Sequence, residues 1–229
     1  MMIENSFLEE ILNITLLSLK VSGSAVLIGS LIGVPIGMIL GLGRFRGKQS
    51  FMRFIDITLR SFVNTFMGLP PVVVGLVVYL LLTSLGPFGP LRLLYTPTAM
   101  IITQLIMVVP IITGVTMSAV GSVEKAIREK ALSLGATDGQ AAWMVLREAR
   151  MGVLTAITVA FGAAVSEVGG IMITGGNIRW VTRTLTTAVV VEVELGNFAL
   201  AISLGVILLS MAFAINLALT IIQLKGARW

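Results

Sequence analysis

Residues 21–43 read VSGSAVLIGSLIGVPIGMILGLG, an apolar stretch without a single charged side chain. About 20 such residues are what a helix needs to cross the hydrocarbon core of a bilayer. Four further charge-free windows follow, at 61–91, 93–123, 151–166 (continuing past Glu167 to 178) and 195–224. An open sheet would leave its edge groups unpaired in lipid, and the alternating ten-residue segments of a barrel are absent, so the windows are read as helices. The expected fold class is all-α integral membrane, a single domain over 1–229 with about five spans, near 21–43, 68–85, 97–120, 152–175 and 198–222.

Composition agrees. Of the 229 residues 56% are apolar and 12% charged, a balance in which water cannot be the main solvent. The chain has no His and no Cys, which removes imidazole general-base chemistry, thiol nucleophiles, thiolate metal sites and disulfides. No catalytic and no metal residues are expected. The net charge of +5 would suggest nucleic acid in a soluble chain, but here the basic residues lie in short clusters between apolar runs and report topology instead. The start of the chain is acidic (Glu4, Glu9, Glu10), where a cleaved leader needs a basic start and a small-residue cleavage site, so none is read.

Arg44, Arg46, Lys48 and Arg53 follow the first span. Lys125, Arg128, Lys130, Arg147 and Arg150 follow the third, and Lys225 and Arg228 the last. In a five-span arrangement these segments share one side, which is therefore cytoplasmic, with the N-terminus out and the C-terminus in. The other side holds Arg92, Arg179 and Arg183 beside Glu192 and Glu194.

Within the first span Ala25, Gly29, Gly33, Gly37 and Gly41 recur every four residues, a smooth stripe on one helix face against which another helix can pack closely. Pro35 implies a kink there. Pro70-Pro71 should break the second span. Residues 51–66 would then run along or just inside the cytoplasmic face, with Asp56 and Arg60, four apart, as an ion pair.

Residues 122–150, SVEKAIREKALSLGATDGQAAWMVLREAR, are too polar for membrane and too regular for a linker. Ser122 is expected to cap a helix running to about Leu134, ended by Gly135 in the left-handed conformation. Thr137 and Gln140 form a capping-box pattern that opens a second helix carrying Ala141, Ala142, Val145 and Leu146 on one face. The reading is helix, tight break, helix, a cytoplasmic shape that another protein can grip.

Here the chain resembles a family. Glu129-Lys130-Ala131, three residues, Gly135, and Val145 nine residues later are similar to the E-A-A, x3, G, x9, I-x-L-P motif of the membrane subunits of ATP-binding-cassette importers. Lys130 replaces the middle Ala, and Arg147-Glu148 stands where Leu-Pro is usual. Leu69-Pro70-Pro71-Val72-Val73-Val74-Gly75 resembles a stretch of the molybdate, sulfate and tungstate branch. So does Ser166-Glu167-Val168-Gly169-Gly170 with Gly175-Gly176-Asn177-Ile178 and Thr182-Arg183-Thr184-Leu185-Thr186. Gly86-Pro87 and Thr96-Pro97-Thr98-Ala99-Met100 look most like tungstate permeases. The resemblance covers roughly 15–225. It implies a prokaryotic cytoplasmic-membrane permease acting as a homodimer, with two ATPase subunits on the cytoplasmic side and an extracytoplasmic binding protein. ATP and Mg would be used by the ATPase, and this chain would bind no cofactor. Glu129, Ala131, Leu134, Gly135, Ala136, Thr137 and Gln140 would seat on the ATPase. The cargo implied is an oxyanion, tungstate first, molybdate or sulfate second.

Residues 43–48, Gly-Arg-Phe-Arg-Gly-Lys, brush against a phosphate loop but have three residues between the glycines rather than four, and Gln49 rather than Ser or Thr after the Lys, so ATP falls to a partner. Glu167, near the outer end of its span, suits a hydrogen-bonded packing or gate role better than contact with an anion, which it would repel. Arg179 and Arg183, one helical turn apart and close after Asn177, leave three readings open: attracting an anion, docking the binding protein, or pairing with Glu192 and Glu194. Neutral donors among Asn64, Thr65, Thr103, Gln104, Thr113, Thr116 and Asn216 are candidates to line a path for a desolvated dianion, or to bond between helices. Two other classes compete. An autonomous secondary transporter would carry inverted repeats and paired midplane charges, neither of which is visible. A membrane scaffold would use the 122–150 loop for a partner that is not an ATPase.

Overall fold

A computed structural model of the chain describes residues 2–43 and 50–226. Arg44, Arg46, Lys48 and Arg228, with most of the rejected 43–48 stretch, lie outside those residues. The helices are Met2–Gly41 (α1), Ser50–Met67 (α2), Pro71–Leu82 (α3), Pro97–Ser133 (α4), Asp138–Glu148 (α5), Arg150–Ser166 (α6), Gly169–Gly175 (α7), Leu185–Glu194 (α8) and Phe198–Gly226 (α9), with a short 3-10 turn at Gly89–Leu91. No strand occurs among the described residues. Leu8–Gly41, Pro97–Ser133 and Phe198–Lys225 are each long and apolar enough to cross a membrane, and two broken pairs, α2 with α3 and α5 with α6, raise the count to five if each pair is one span. The chain is a multi-pass helical membrane protein.

The helices do not coincide with the apolar windows. α1 extends from Met2, ahead of the apolar window that opens at 21, because Glu9 and Glu10 are good helix formers and nothing between them and the apolar run stops the helix. It also continues through Pro35. Ser122 caps nothing. Its hydroxyl donates to the Ala119 carbonyl at 2.8 Å, and α4 runs unbroken to Ser133. The fourth apolar stretch is interrupted between Ser166 and Gly169, and residues 185–194, expected only as an outer segment, form α8.

The chain divides into two compact units. One comprises Met1–Leu27, Leu69–Met107 and Phe161–Ala218. In it α3 lies against α7 so closely that a Cβ on Gly75 would sit 2.6 Å from the Gly170 Cα. That approach is open only to glycine. Buried apolar sets include Val74, Val78, Leu82 and Ala99, and also Ile14, Leu185, Ala188 and Leu204. At the α6–α7 break the Glu167 carboxylate accepts the Gly170 N–H, and the Glu167 carbonyl accepts the Thr186 hydroxyl at 3.0 Å. The interruption thereby finds partners for its own polar groups, as lipid requires.

The second unit comprises Ile28–Gly68, Val108–Ala160 and Leu219–Trp229. Gly29, Gly33, Gly37 and Gly41 are buried. A Cβ on Gly33 would meet Ile112 at 3.0 Å, one on Gly37 the Thr113 carbonyl at 2.6 Å, and one on Gly41 the Val120 side chain at 2.6 Å. α4 therefore lies in the stripe, four residues of one helix matching four of the other. The chain breaks at Gly68–Pro70 after α2, where Pro70 and Pro71 lack N–H groups and restrict the residue before each. Arg60 Nε donates to Asp56 at 2.9 Å, and Arg60 Nη2 donates to the Leu40 carbonyl near the end of α1.

Candidate functional site

The α4–α5 break is built from local chemistry. Gly135 has φ +83°, in the left-handed region. Its N–H donates to the Leu132 carbonyl at 3.0 Å, and the Ala136 N–H reaches back to the Ala131 carbonyl at 3.1 Å. That pair of bonds is a Schellman C-cap. Two residues on, the Thr137 N–H donates to Gln140 Oε1 at 2.8 Å and the Gln140 N–H to Thr137 Oγ1 at 3.4 Å, so the capping box is complete and α5 begins at once. Of the residues singled out in the sequence, Ala131 is buried and Ala136 half-buried, while Glu129, Leu134, Gly135, Thr137 and Gln140 are exposed.

Two features here are not visible in the motif. Arg128 donates to Asp138 at 2.7 Å and to Glu124 at 3.4 Å, tying the end of α4 to the start of α5. No periodic pattern announces this pair, since its members are ten residues apart on different helices. The second feature is apolar exposure: Leu134 is 77% and Trp143 68% exposed, flanked by Leu132 and Met144. The hairpin's inward face is meanwhile filled, with Val145 and Ala149 packed against Val120.

In the other unit, Arg179 and Arg183 are not on a helix. They lie in a tight turn in which the Ile178 carbonyl accepts the N–H groups of Val181, Thr182 and Arg183 at 2.8–3.1 Å. The buried Thr182 hydroxyl donates to the Gly175 carbonyl at 2.6 Å and accepts the Ile178 N–H at 2.9 Å. Asn177 (φ +49°) and Trp180 (φ +68°) take left-handed backbone to make the turn. Of the three readings, the structure displays pairing, though with a partner that sequence distance conceals: both Arg179 and Arg183 reach Glu10 of α1. Arg183 also approaches Glu192 at 3.5 Å, and Glu192 accepts the Asn197 amide at 3.1 Å. The Glu10 carboxylate raises the pKa of Arg179 above its ordinary value, chiefly through the hydrogen bond. These groups border a cavity of about 330 Å³ floored by Ile11, Ile14, Leu200 and Leu204.

The remaining path candidates separate. Gln104 is fully buried and its amide donates to the Ala164 carbonyl at 2.7 Å and to Ser22 at 3.4 Å, so it ties helices together. Glu167 holds the α6–α7 break described above. Thr103 donates to Ala99 and lies 3.0 Å from Thr174. Asn64 borders a cavity of about 730 Å³ with Arg60, Ser118, Ser122 and Thr155, whereas the exposed Thr65 is not on its wall and donates to Ser61 at 2.8 Å.

Comparison with known proteins fits this architecture. The family described as binding-protein-dependent transport system inner membrane component matches residues 33–225. A probable anion ABC transporter permease protein of Haloferax volcanii is 43% identical over 211 residues, covering 90% of this chain and 88% of its own length. The tungstate uptake system permease protein TupB of Peptoclostridium acidaminophilum is 36% identical over 218 residues, covering 95% and 92%. In backbone shape, a chain of the inward-facing MetNI methionine ABC transporter superposes with a TM-score of 0.74 at 18% identity, over 96% of this chain and 98% of that one. With the family matching most of its length and more than a third of its residues shared with two of these relatives, the chain belongs to the inner-membrane components of binding-protein-dependent, ATP-binding-cassette transport systems.

Proposed function

We propose that the chain is the permease of an ATP-driven oxyanion importer, with tungstate as its first cargo and molybdate or sulfate as second choices. It works as a homodimer in the prokaryotic cytoplasmic membrane, N-terminus out and C-terminus in. Two ATPase subunits use ATP and Mg on the cytoplasmic side, and a binding protein delivers cargo from outside. The observation that carries the coupling role is the doubly capped break at Gly135, which presents exposed Leu134 and Trp143 on a hairpin whose other face is packed. Large apolar side chains exposed on a polar loop call for a protein partner. A tightly capped hairpin is also stiff enough to pass a displacement from that partner into α4 and α6. Glu129, Leu134, Gly135, Ala136, Thr137 and Gln140 form the seat, and Ala131, buried beneath them, supports it without touching the partner. The cargo reading rests on the tungstate permeases of Peptoclostridium acidaminophilum and Campylobacter jejuni, 36% and 34% identical, and on the anion permease of Haloferax volcanii.

The test of cargo is competition. Vesicles carrying the complete transporter and its binding protein should take up tungstate, with molybdate and sulfate competing more weakly. Uptake of sulfate unaffected by tungstate would overturn the assignment.

A further inference from the structure

The second unit holds a cavity of about 730 Å³ walled by Arg60, Asn64 and Met67 of α2, by one face of α4 from Gly114 to Ser122, and by Gly152 and Thr155 of α6. α2 touches α4 where Met67 presses on Gly114, and α6 touches α4 where Ala119 presses on Gly152, each contact so close that the glycine leaves no room for a Cβ. Between those two points the wall carries the polar side chains of Arg60, Asn64, Ser118, Ser122 and Thr155 among apolar ones.

The lining has a definite chemistry. The Ser122 hydroxyl is spent on Ala119 at 2.8 Å and that of Thr155 on Met151 at 3.0 Å. Asn64 and Ser118, both exposed on the cavity wall, make no hydrogen bond among the described residues, so an amide and a hydroxyl donor face the open space. Arg60 adds positive charge, but it is balanced by Asp56 at 2.9 Å, and Nη2 is held by the Leu40 carbonyl. A dianion leaving water needs hydrogen-bond donors to replace its hydration shell. A path for that ion must also let it leave, which an uncompensated buried cation would prevent. Neutral donors beside a paired arginine meet both demands.

Resting on the oxyanion-import reading above, we infer that this cavity is a stretch of the translocation path and that Asn64 and Ser118 are the residues that hydrogen-bond the passing tetrahedral oxyanion. Thr65, one residue along and off the cavity wall, takes no part.

The chain has no cysteine, so the transporter with the unsubstituted permease supplies the background against which single cysteines are read. Asn64→Cys, Ser118→Cys and Thr65→Cys are placed in the complete transporter in inside-out vesicles and treated with sulfonatoethyl methanethiosulfonate, itself a small anion. Modification at 64 and 118 is expected to be at least tenfold faster than at 65 and slowed by millimolar tungstate. It should also abolish uptake while ATP hydrolysis persists. Equal rates at all three positions, or full uptake after complete modification at 118, overturn the inference. If the unmodified transporter moves no oxyanion at all, the cargo reading falls. In that case the relative rates at 64, 118 and 65 still decide whether the cavity is an aqueous path.

Discussion

Gly135 and Gly139 stand four residues apart in the same hairpin, and at neither would an added Cβ meet any atom within 4 Å. Sterically they are equivalent, but their backbones are not. Gly135 has φ +83°, whereas Gly139 lies inside α5. An alanine at 135 therefore meets only the intrinsic cost of left-handed backbone, about 1–2 kcal/mol. This shifts the balance between the capped break and competing arrangements by roughly 5–30-fold. At 139 the same change should stabilise the helix, by up to about 1 kcal/mol. Asn tolerates the left-handed region, so Gly135→Asn should fall between wild type and Gly135→Ala. The assay is uptake per ATP hydrolysed in proteoliposomes holding the permease, its ATPase and the binding protein. Gly135→Ala should lower that ratio several-fold, Gly135→Asn less, and Gly139→Ala not at all. Equal effects at 135 and 139, or none at 135, would show that the left-handed break does not transmit the stroke.

Four further outcomes are expected. Gly37→Ala, whose Cβ would lie 2.6 Å from the Thr113 carbonyl, should destabilise the purified protein by about 1–3 kcal/mol in thermal unfolding, while Gly23→Ala, with nothing within 4 Å, should not. Thr137→Ala removes a capping side chain and should cost about 1 kcal/mol, whereas Asp138→Asn, at a 79% exposed partner of Arg128, should cost well under that. Arg183→Met leaves Glu10 and Glu192 without a shared cation and should lower the melting temperature, with Glu192→Gln in the same chain restoring part of the loss. Leu134→Arg with Trp143→Ala should abolish co-purification of the ATPase without altering the helical content of the permease, because both side chains are exposed.

The features that were legible in the sequence are those whose cause is local. Gly135 followed by Thr137 and Gln140 specifies two caps within six residues, and all four defining bonds are present. Asp56 and Arg60 pair because they are one helical turn apart, and Pro70-Pro71 interrupts the helix because neither residue can donate. What escaped depends on distance or on competition. Glu10 finds Arg179 across 169 residues, and no local pattern foretells that. The same is true of Arg128 and Asp138. Ser122 does not cap because its hydroxyl has two uses, capping the turn ahead or bonding back to Ala119, and a surrounding sequence free of breakers favours the second. Arg179 and Arg183 carry helical spacing, but Asn177, Trp180 and Thr182 set a turn there. Asn64 and Thr65 look alike in a string of letters, and only packing around α4 puts one on a cavity wall and leaves the other off it.

The role of this chain as the driven half of a two-part machine is tested most directly by oxyanion uptake into proteoliposomes with the ATPase subunit present or withheld, all else equal. Uptake should require the ATPase, ATP and the binding protein together. Accumulation of tungstate by vesicles containing this chain alone would contradict the account.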